Sequence, residues 1–144
     1  MEPFDMEVKK LVENAIMPTK AHETDLGWDL HSSERYIIPA FSRQLVNTGI
    51  AMGFPQDVGG IIKDRSGISS KMGLFVMAGV IDPDYTGEIK ILMFNSTRSP
   101  VEILENQKIA QMFLMPVFKV SNLREVTELS DRSRGPSGFG SSDK

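Results

Sequence analysis

The chain has 144 residues, 40% of them hydrophobic and 24% charged, which suits a single globular domain with a true apolar core. A formal net charge of -3 gives no overall basic field, so nucleic acid is not an expected partner and any polyanion must be met by a few placed cations. With no cysteine and only two histidines, His22 and His31, disulfides, thiolate metal centres and multi-histidine metal sites are excluded.

The first residues, MEPFDMEVKK, carry early acidic side chains and no long apolar run, so they do not read as a secretory signal. No stretch approaches the roughly 20 apolar residues of a membrane-spanning helix. No membrane partner is expected. The expected setting is a reducing compartment: cytoplasm or nucleus for a cellular source, virion or host cell for a viral one.

From there the periodicity is mostly that of strands. Candidates in chain order are EVKKLV, RYIIPA, RQLVNTGIAMGF, VGGIIK, LFVMAGVI, EIKILMFN, PVEILE, KIAQMFLMPV and a weaker one in NLREVTEL, with Gly, Pro, Asn and Asp between them. In GEIKILMFN, Ile89, Ile91 and Met93 fall on one face and Lys90, Leu92 and Phe94 on the other. Many short strands separated by turn signals predict an all-β sandwich or barrel. Only SGISSKMGL reads as a helical turn or two, with Ser66 as N-cap and Gly73 ending it. The composition shifts once, near Ser130, which divides a β domain (residues 1–129) from a mobile C-terminal arm (130–144).

Five segments carry candidate chemistry. TDLGWDLHSS holds Asp25, Asp29 and the sole Trp28; alternation sets Trp28 and Leu30 against Asp29 and His31, which reads as a core Trp opposite solvated carboxylates, with His31 a surface or hydrogen-bonding residue. KDRSGISSKMG offers a cation, a hydroxyl and a glycine at Arg65, Ser66 and Gly67, at a spacing that is neither a P-loop nor a dinucleotide-binding pattern. VIDPDYTGEIK reads as a polar hairpin loop, yet Asp82 directly follows the apolar AGVI and so sits at the end of a core strand, where a carboxylate is placed to act as a base. ENQKIAQMF sets the polar Gln111 in an apolar strand. RGPSGFGSS places Arg134 and Phe139 among glycines and serines, an odd setting for an aromatic ring if the tail has no partner.

Taken in this order, LGWDLHSS, DRSGISSKMG, GVIDPDYTGEIKILMFN, ENQKIAQM and RGPSGFGSS resemble the five motifs of the homotrimeric dUTPase family, from about Lys9 to Ser142. The resemblance implies a jelly-roll-like β-barrel, assembled as a homotrimer with three active sites at subunit interfaces. It implies Mg2+-dependent hydrolysis of dUTP to dUMP and pyrophosphate, which keeps uracil out of DNA and supplies dUMP for thymidylate synthesis. Asp82 matches the carboxylate that activates the attacking water, and Tyr85 the ring that packs on the deoxyribose. Gly79, Val80 and Ile81 match the hairpin whose backbone reads uracil. Arg65, Ser66 and Gly67 match the phosphate-contacting segment, Gln111 the fourth-motif glutamine, and Lys90 a position where many members touch substrate. Arg134 matches the arginine on the terminal phosphates, and Phe139 the ring stacked over uracil, with Gly140, Ser141 and Ser142 closing on the triphosphate. Asp29 matches a first-motif acid whose role is structural or second to Mg2+, and no protein side chain is expected to ligate the metal directly.

The chain departs from the family pattern at three places. Asp64 stands where the second motif usually has proline, which brings a negative charge next to Arg65. Pro136 and Ser137 replace small residues in the fifth motif, and ENQK stands where GDR is common. A dCTP deaminase of the same fold is the nearest rival reading, but the strand after the hairpin has apolar Leu92 and Met93 where deamination needs a carboxylate. The other rival is a non-catalytic nucleotide-binding relative. The joint presence of Asp82, Arg65, Ser66, Tyr85, Arg134 and Phe139 argues against it.

Overall fold

The computed structural model describes residues 2–141. In chain order its elements are β1 (Glu7–Lys10), β2 (Trp28–His31), β3 (Tyr36–Ile38), β4 (Arg43–Gly53), β5 (Val58–Asp64), α1 (Ser66–Met72), β6 (Leu74–Met77), β7 (Val80–Ile81), β8 (Glu88–Asn95), β9 (Val101–Ile103) and β10 (Lys108–Pro116). The all-β expectation holds, with one short helix. There are two four-stranded sheets, ordered β1-β4-β8-β6 and β2-β10-β5-β7, and a separate β3-β9 ribbon. All pairings are antiparallel. Among the described residues no ladder closes either sheet into a continuous barrel.

Both sheets and the ribbon bury their inward faces in one shared core, with Val46 and Ile91 from the first sheet, Leu30, Ile62 and Met112 from the second, and Ile38 and Ile103 from the ribbon. The alternation in β8 is realised as read: Ile89, Ile91 and Met93 are at most 1% exposed, while Lys90 points to solvent. Burying each such side chain contributes about 1.5–3 kcal/mol. One polar residue is embedded beside them. The Asn95 side-chain amide donates to the carbonyls of Ile38, Pro39 and Ser99, which satisfies a group that would otherwise be costly to bury.

Three local expectations change. LFVMAGVI is not one strand: Ala78 (φ 56) and Gly79 (φ 101) take left-handed backbone, and the chain changes sheets there, β6 pairing with β8 and β7 with β5. NLREVTEL forms no strand; its residues lie exposed with no ladder to join. The helix starts one residue earlier than read: its N-cap is Arg65 rather than Ser66, with no side-chain capping bond. Gly73 does end it, in the left-handed conformation (φ 65) with its N–H donated to the Ser69 carbonyl.

Candidate functional site

The sheet change at Ala78–Gly79 builds the first cleft. The Gly79 carbonyl accepts the Ile62 N–H at 2.8 Å, and a Cβ on Gly79 would lie 2.7 Å from the Ile62 carbonyl oxygen. With φ at 101 as well, only glycine fits. Past it, Val80, Ile81 and Asp82 run along the rim of a cavity of about 320 Å³, which Tyr85 and Lys90 also line. The Tyr85 N–H donates to the Asp82 carbonyl (3.1 Å) and its phenol donates to the Glu88 carbonyl (2.8 Å), so the loop carrying Asp82 is closed at both ends. Asp82 is exposed and makes no ion pair among the described residues. Gly79, Val80, Ile81, Asp82, Tyr85 and Lys90 are therefore brought together, as the sequence reading requires.

A second, more polar cleft of about 330 Å³ gathers Asp29, Arg65, Ser66, Gly67 and Gln111. Strand register does this: Gln111 of β10 lies opposite Asp29 of β2 and Lys63 of β5, which brings Arg65, two residues on, to the same end. Arg65 Nε donates to Asp29 Oδ1 at 2.9 Å and Lys108 Nζ lies 3.2 Å from Asp29 Oδ2. The Asp29 side chain is only 13% exposed, so it is not the solvated carboxylate read from alternation; it is a clamp on two cations. Gln111 Nε2 donates to the Asp64 carbonyl at 2.7 Å, and Gly27 leaves room for that amide, since a Cβ there would meet Gln111 Oε1 at 2.2 Å. By contrast, a Cβ on Gly67 would meet nothing within 4 Å. The fold does not demand glycine there, and the open space lies where a ligand would approach.

Two sequence expectations are altered here. The Asp64 carboxylate accepts the Val76 N–H at 2.6 Å, so its charge is held by β6 while Arg65 turns to Asp29. His31 is not a surface residue; it is 6% exposed, and its Nδ1 is buried without a partner. Burial, foremost, and then Lys108 hold its pKa below the ordinary value, with Asp29 opposing and Arg65 adding to the depression. Sequence reasoning also missed Lys108 and Asn106. Lys108 supplies the second cation on Asp29, a contact that depends on β2–β10 register. Asn106 holds a left-handed turn (φ 64), a conformation asparagine tolerates better than most residues; its place in ENQK, where the common pattern has glycine, was the available signal.

The described part of the arm joins neither cleft. Among the described residues, none after Pro116 lines the Asp82 or the Arg65 cavity. Phe139 is fully exposed and Arg134 Nε donates to the nearby Ser137 carbonyl. Gly140 takes a positive φ of 81 and Ser141 N–H donates to the Gly138 carbonyl; Ser142 lies outside the described residues. The candidate residues that are described thus fall into three groups that a single chain keeps apart. The two clefts share no lining residue. Among the described residues there is no group of three or more acidic or histidine side chains able to hold a metal ion.

Comparison with known proteins gives a consistent result. A family model described as dUTPase matches residues 13–143. A deoxyuridine 5'-triphosphate nucleotidohydrolase of Clostridioides difficile is 39% identical over 140 residues, covering 96% of this chain and 97% of the relative. The enzyme of the same name from Paramecium bursaria Chlorella virus 1 is 42% identical over 134 residues, covering 93% and 94%. Among solved structures, a mutant dUTPase of Staphylococcus bacteriophage 80alpha with dUpNHpp superposes with a TM-score of 0.87 at 28% identity, covering 96% of this chain and 98% of that one. A mutant dUTPase from phage phi11 of S. aureus, described as coordinating a structural Mg(II) ion, gives 0.82 at 27% identity, covering 89% and 100%.

Proposed function

The chain belongs to the dUTPase family, and we propose that it hydrolyses dUTP to dUMP and pyrophosphate with Asp82 as the base. It is a dUTP diphosphatase, the activity that the names of its relatives carry. The observation that carries the assignment of Asp82 is its position: an exposed carboxylate, free of ion pairs among the described residues, at the mouth of the cleft made by the Gly79–Ile81 backbone and Tyr85.

In this reading the backbone of Gly79, Val80 and Ile81 pairs with the uracil edge, whose donor and acceptor pattern cytosine exchanges. A mismatch leaves buried polar groups unpaired and is rejected strongly. The Tyr85 ring packs on the deoxyribose, with Lys90 at the same rim. Asp82 takes a proton from water as its oxygen bonds to the α-phosphorus; the bond from that phosphorus to the α,β-bridging oxygen breaks and pyrophosphate leaves. General-base assistance contributes about 10²–10⁴-fold, and in-line positioning and charge stabilisation supply much of the remainder. Arg65, Ser66, Gly67 and Gln111 hold the phosphates, Arg134 grips the terminal ones, and Phe139 covers the base, with Gly140, Ser141 and Ser142 closing on the triphosphate.

Mg2+ is the cofactor assigned, and the residues fit it. Both Asp29 oxygens are occupied by Arg65 and Lys108, so a hard cation would be held on phosphate oxygens and waters, with Asp29 reached only through water. When bound there it neutralises phosphate charge as the bridging bond breaks.

The separation of the two clefts supports a site completed by assembly: the Asp82 cleft from one copy, the Arg65 cleft from another, and the arm folded over both. Apolar side chains beside the clefts, Val80 (71% exposed), Leu26 (74%) and Leu45 (46%), suit burial between copies. The closed homotrimer is the assembly proposed. Light scattering tests it: a mass near 16.0 kDa would refute a shared site. The activity is tested by pyrophosphate release from dUTP with Mg2+; no release above background would sink the enzyme reading.

A further inference from the structure

Gly87 is exposed at the entry to β8, and its φ lies outside the left-handed region. Left-handed backbone is therefore not the reason for a glycine here. What forbids a side chain is the ring of Tyr85: a Cβ on Gly87 would lie 2.6 Å from the Tyr85 hydroxyl oxygen, 2.7 Å from Cζ and 3.1 Å from Cε2. The first two distances are closer than dispersion contacts allow, so the ring would have to move. The phenol holds it where it is through its bond to the Glu88 carbonyl (2.8 Å), while the Tyr85 N–H, bonded to the Asp82 carbonyl (3.1 Å), fixes the backbone that carries it. The two bonds span the loop from Asp82 to Glu88, so the seat of the ring and the loop carrying Asp82 are set together.

We propose that Gly87 is a specificity-determining positioning residue: by lacking a side chain it seats the Tyr85 ring against the hairpin, and so fixes the discrimination between deoxyribose and ribose triphosphates. The inference rests on Tyr85 forming the wall of the sugar site. A wall set in place by packing rejects a 2′-hydroxyl both by volume and by offering it no hydrogen-bond partner. A methyl group at position 87 displaces the phenol from the Glu88 carbonyl and swings the ring outward, which opens that volume. The loop carrying Asp82 loses its closure at the Glu88 end at the same time.

A double-mutant cycle on the full-length protein tests this, reading kcat/KM for dUTP and for UTP in the wild type, Gly87→Ala, Tyr85→Ala and the double variant. In the Tyr85 background, Gly87→Ala lowers the dUTP/UTP ratio by at least ~10-fold, and in the Tyr85→Ala background by less than ~2-fold, since the coupled partner is gone. An equal effect in both backgrounds, or none in either, overturns the proposal. A ratio unchanged by Tyr85→Ala alone overturns the sugar-wall reading itself; a ratio collapsed by Tyr85→Ala but unmoved by Gly87→Ala overturns only the role of Gly87. Should Gly87→Ala fail to fold, restoration of folding by Tyr85→Ala in the same chain supports the packing claim, and failure to restore it refutes the claim.

Discussion

Replacing Asp29 with Asn probes how Arg65 is held. The substitution keeps the side-chain shape and an oxygen that can accept from Arg65 Nε, but removes the charge shared by Arg65 at 2.9 Å and Lys108 at 3.2 Å. A charge pair at 4 Å is worth ~1 kcal/mol in water and ~4 kcal/mol at an effective dielectric of 20. The carboxylate is 13% exposed while Arg65 and Lys108 are 34% and 42% exposed. Water therefore screens the cations, and the low end applies: a loss of about 1–2 kcal/mol for the two pairs together. That lowers the melting temperature by about 3–8 °C in a chain of this size. Arg65, with its Nε no longer clamped by charge, becomes a poorer phosphate ligand, and KM for dUTP rises about tenfold, equivalent to ~1.4 kcal/mol. Thermal melting and steady-state kinetics at low and high salt check this, and both effects shrink as salt rises. An Asn variant with unaltered melting and unaltered KM would refute the clamp.

Three further outcomes follow from the same geometry. Asp82→Asn retains dUTP binding but loses turnover by about 10²–10⁴-fold; single-turnover kinetics and titration calorimetry separate the two, and near-wild-type hydrolysis would remove Asp82 as the base. Deleting the chain from Arg134 onward leaves folding and assembly intact and cuts kcat/KM severely, whereas a truncated protein with full activity would reduce RGPSGFGSS to a plain tail. His31, held below its ordinary pKa of 6.5 chiefly by burial and Lys108, takes a proton in the unfolded chain before it does in the folded one. Stability from this group is thus complete above about pH 6.5 and declines as pH falls toward the folded-state pKa. His31→Gln abolishes that part of the decline in thermal melts from about pH 8 to 5, and an identical slope in both proteins would contradict it.

The strands were legible where one face is buried, because alternation then maps directly onto burial, as with Ile89, Ile91 and Met93 against Lys90. LFVMAGVI was misread because both halves are apolar. The choice of sheet is a long-range matter, and Ala78 gives no local sign of left-handed backbone. The fate of NLREVTEL was hidden for the opposite reason: its residues favour strand, but propensity without a partner ladder makes none. At the site, resemblance to known motifs named the residues, while composition and spacing alone left a polar loop and a capped turn. Neither route showed how the groups are arranged. That Asp29 clamps Arg65 and Lys108, and that Asp64 is tied to β6, depends on register between strands distant in sequence. That the Asp82 and Arg65 clefts are separate is a property of the folded chain alone.

Subunit mixing addresses the shared site directly. Asp82→Asn and Arg65→Ala proteins, each nearly inactive alone, are unfolded together in equal amounts, refolded and assayed for pyrophosphate release from dUTP. If Asp82 and Arg65 of one active site come from different copies, random assembly leaves about one site in four with both residues intact, and about a quarter of wild-type activity returns. If both come from the same chain, no mixed assembly contains an intact pair, and activity stays at the level of the separate variants.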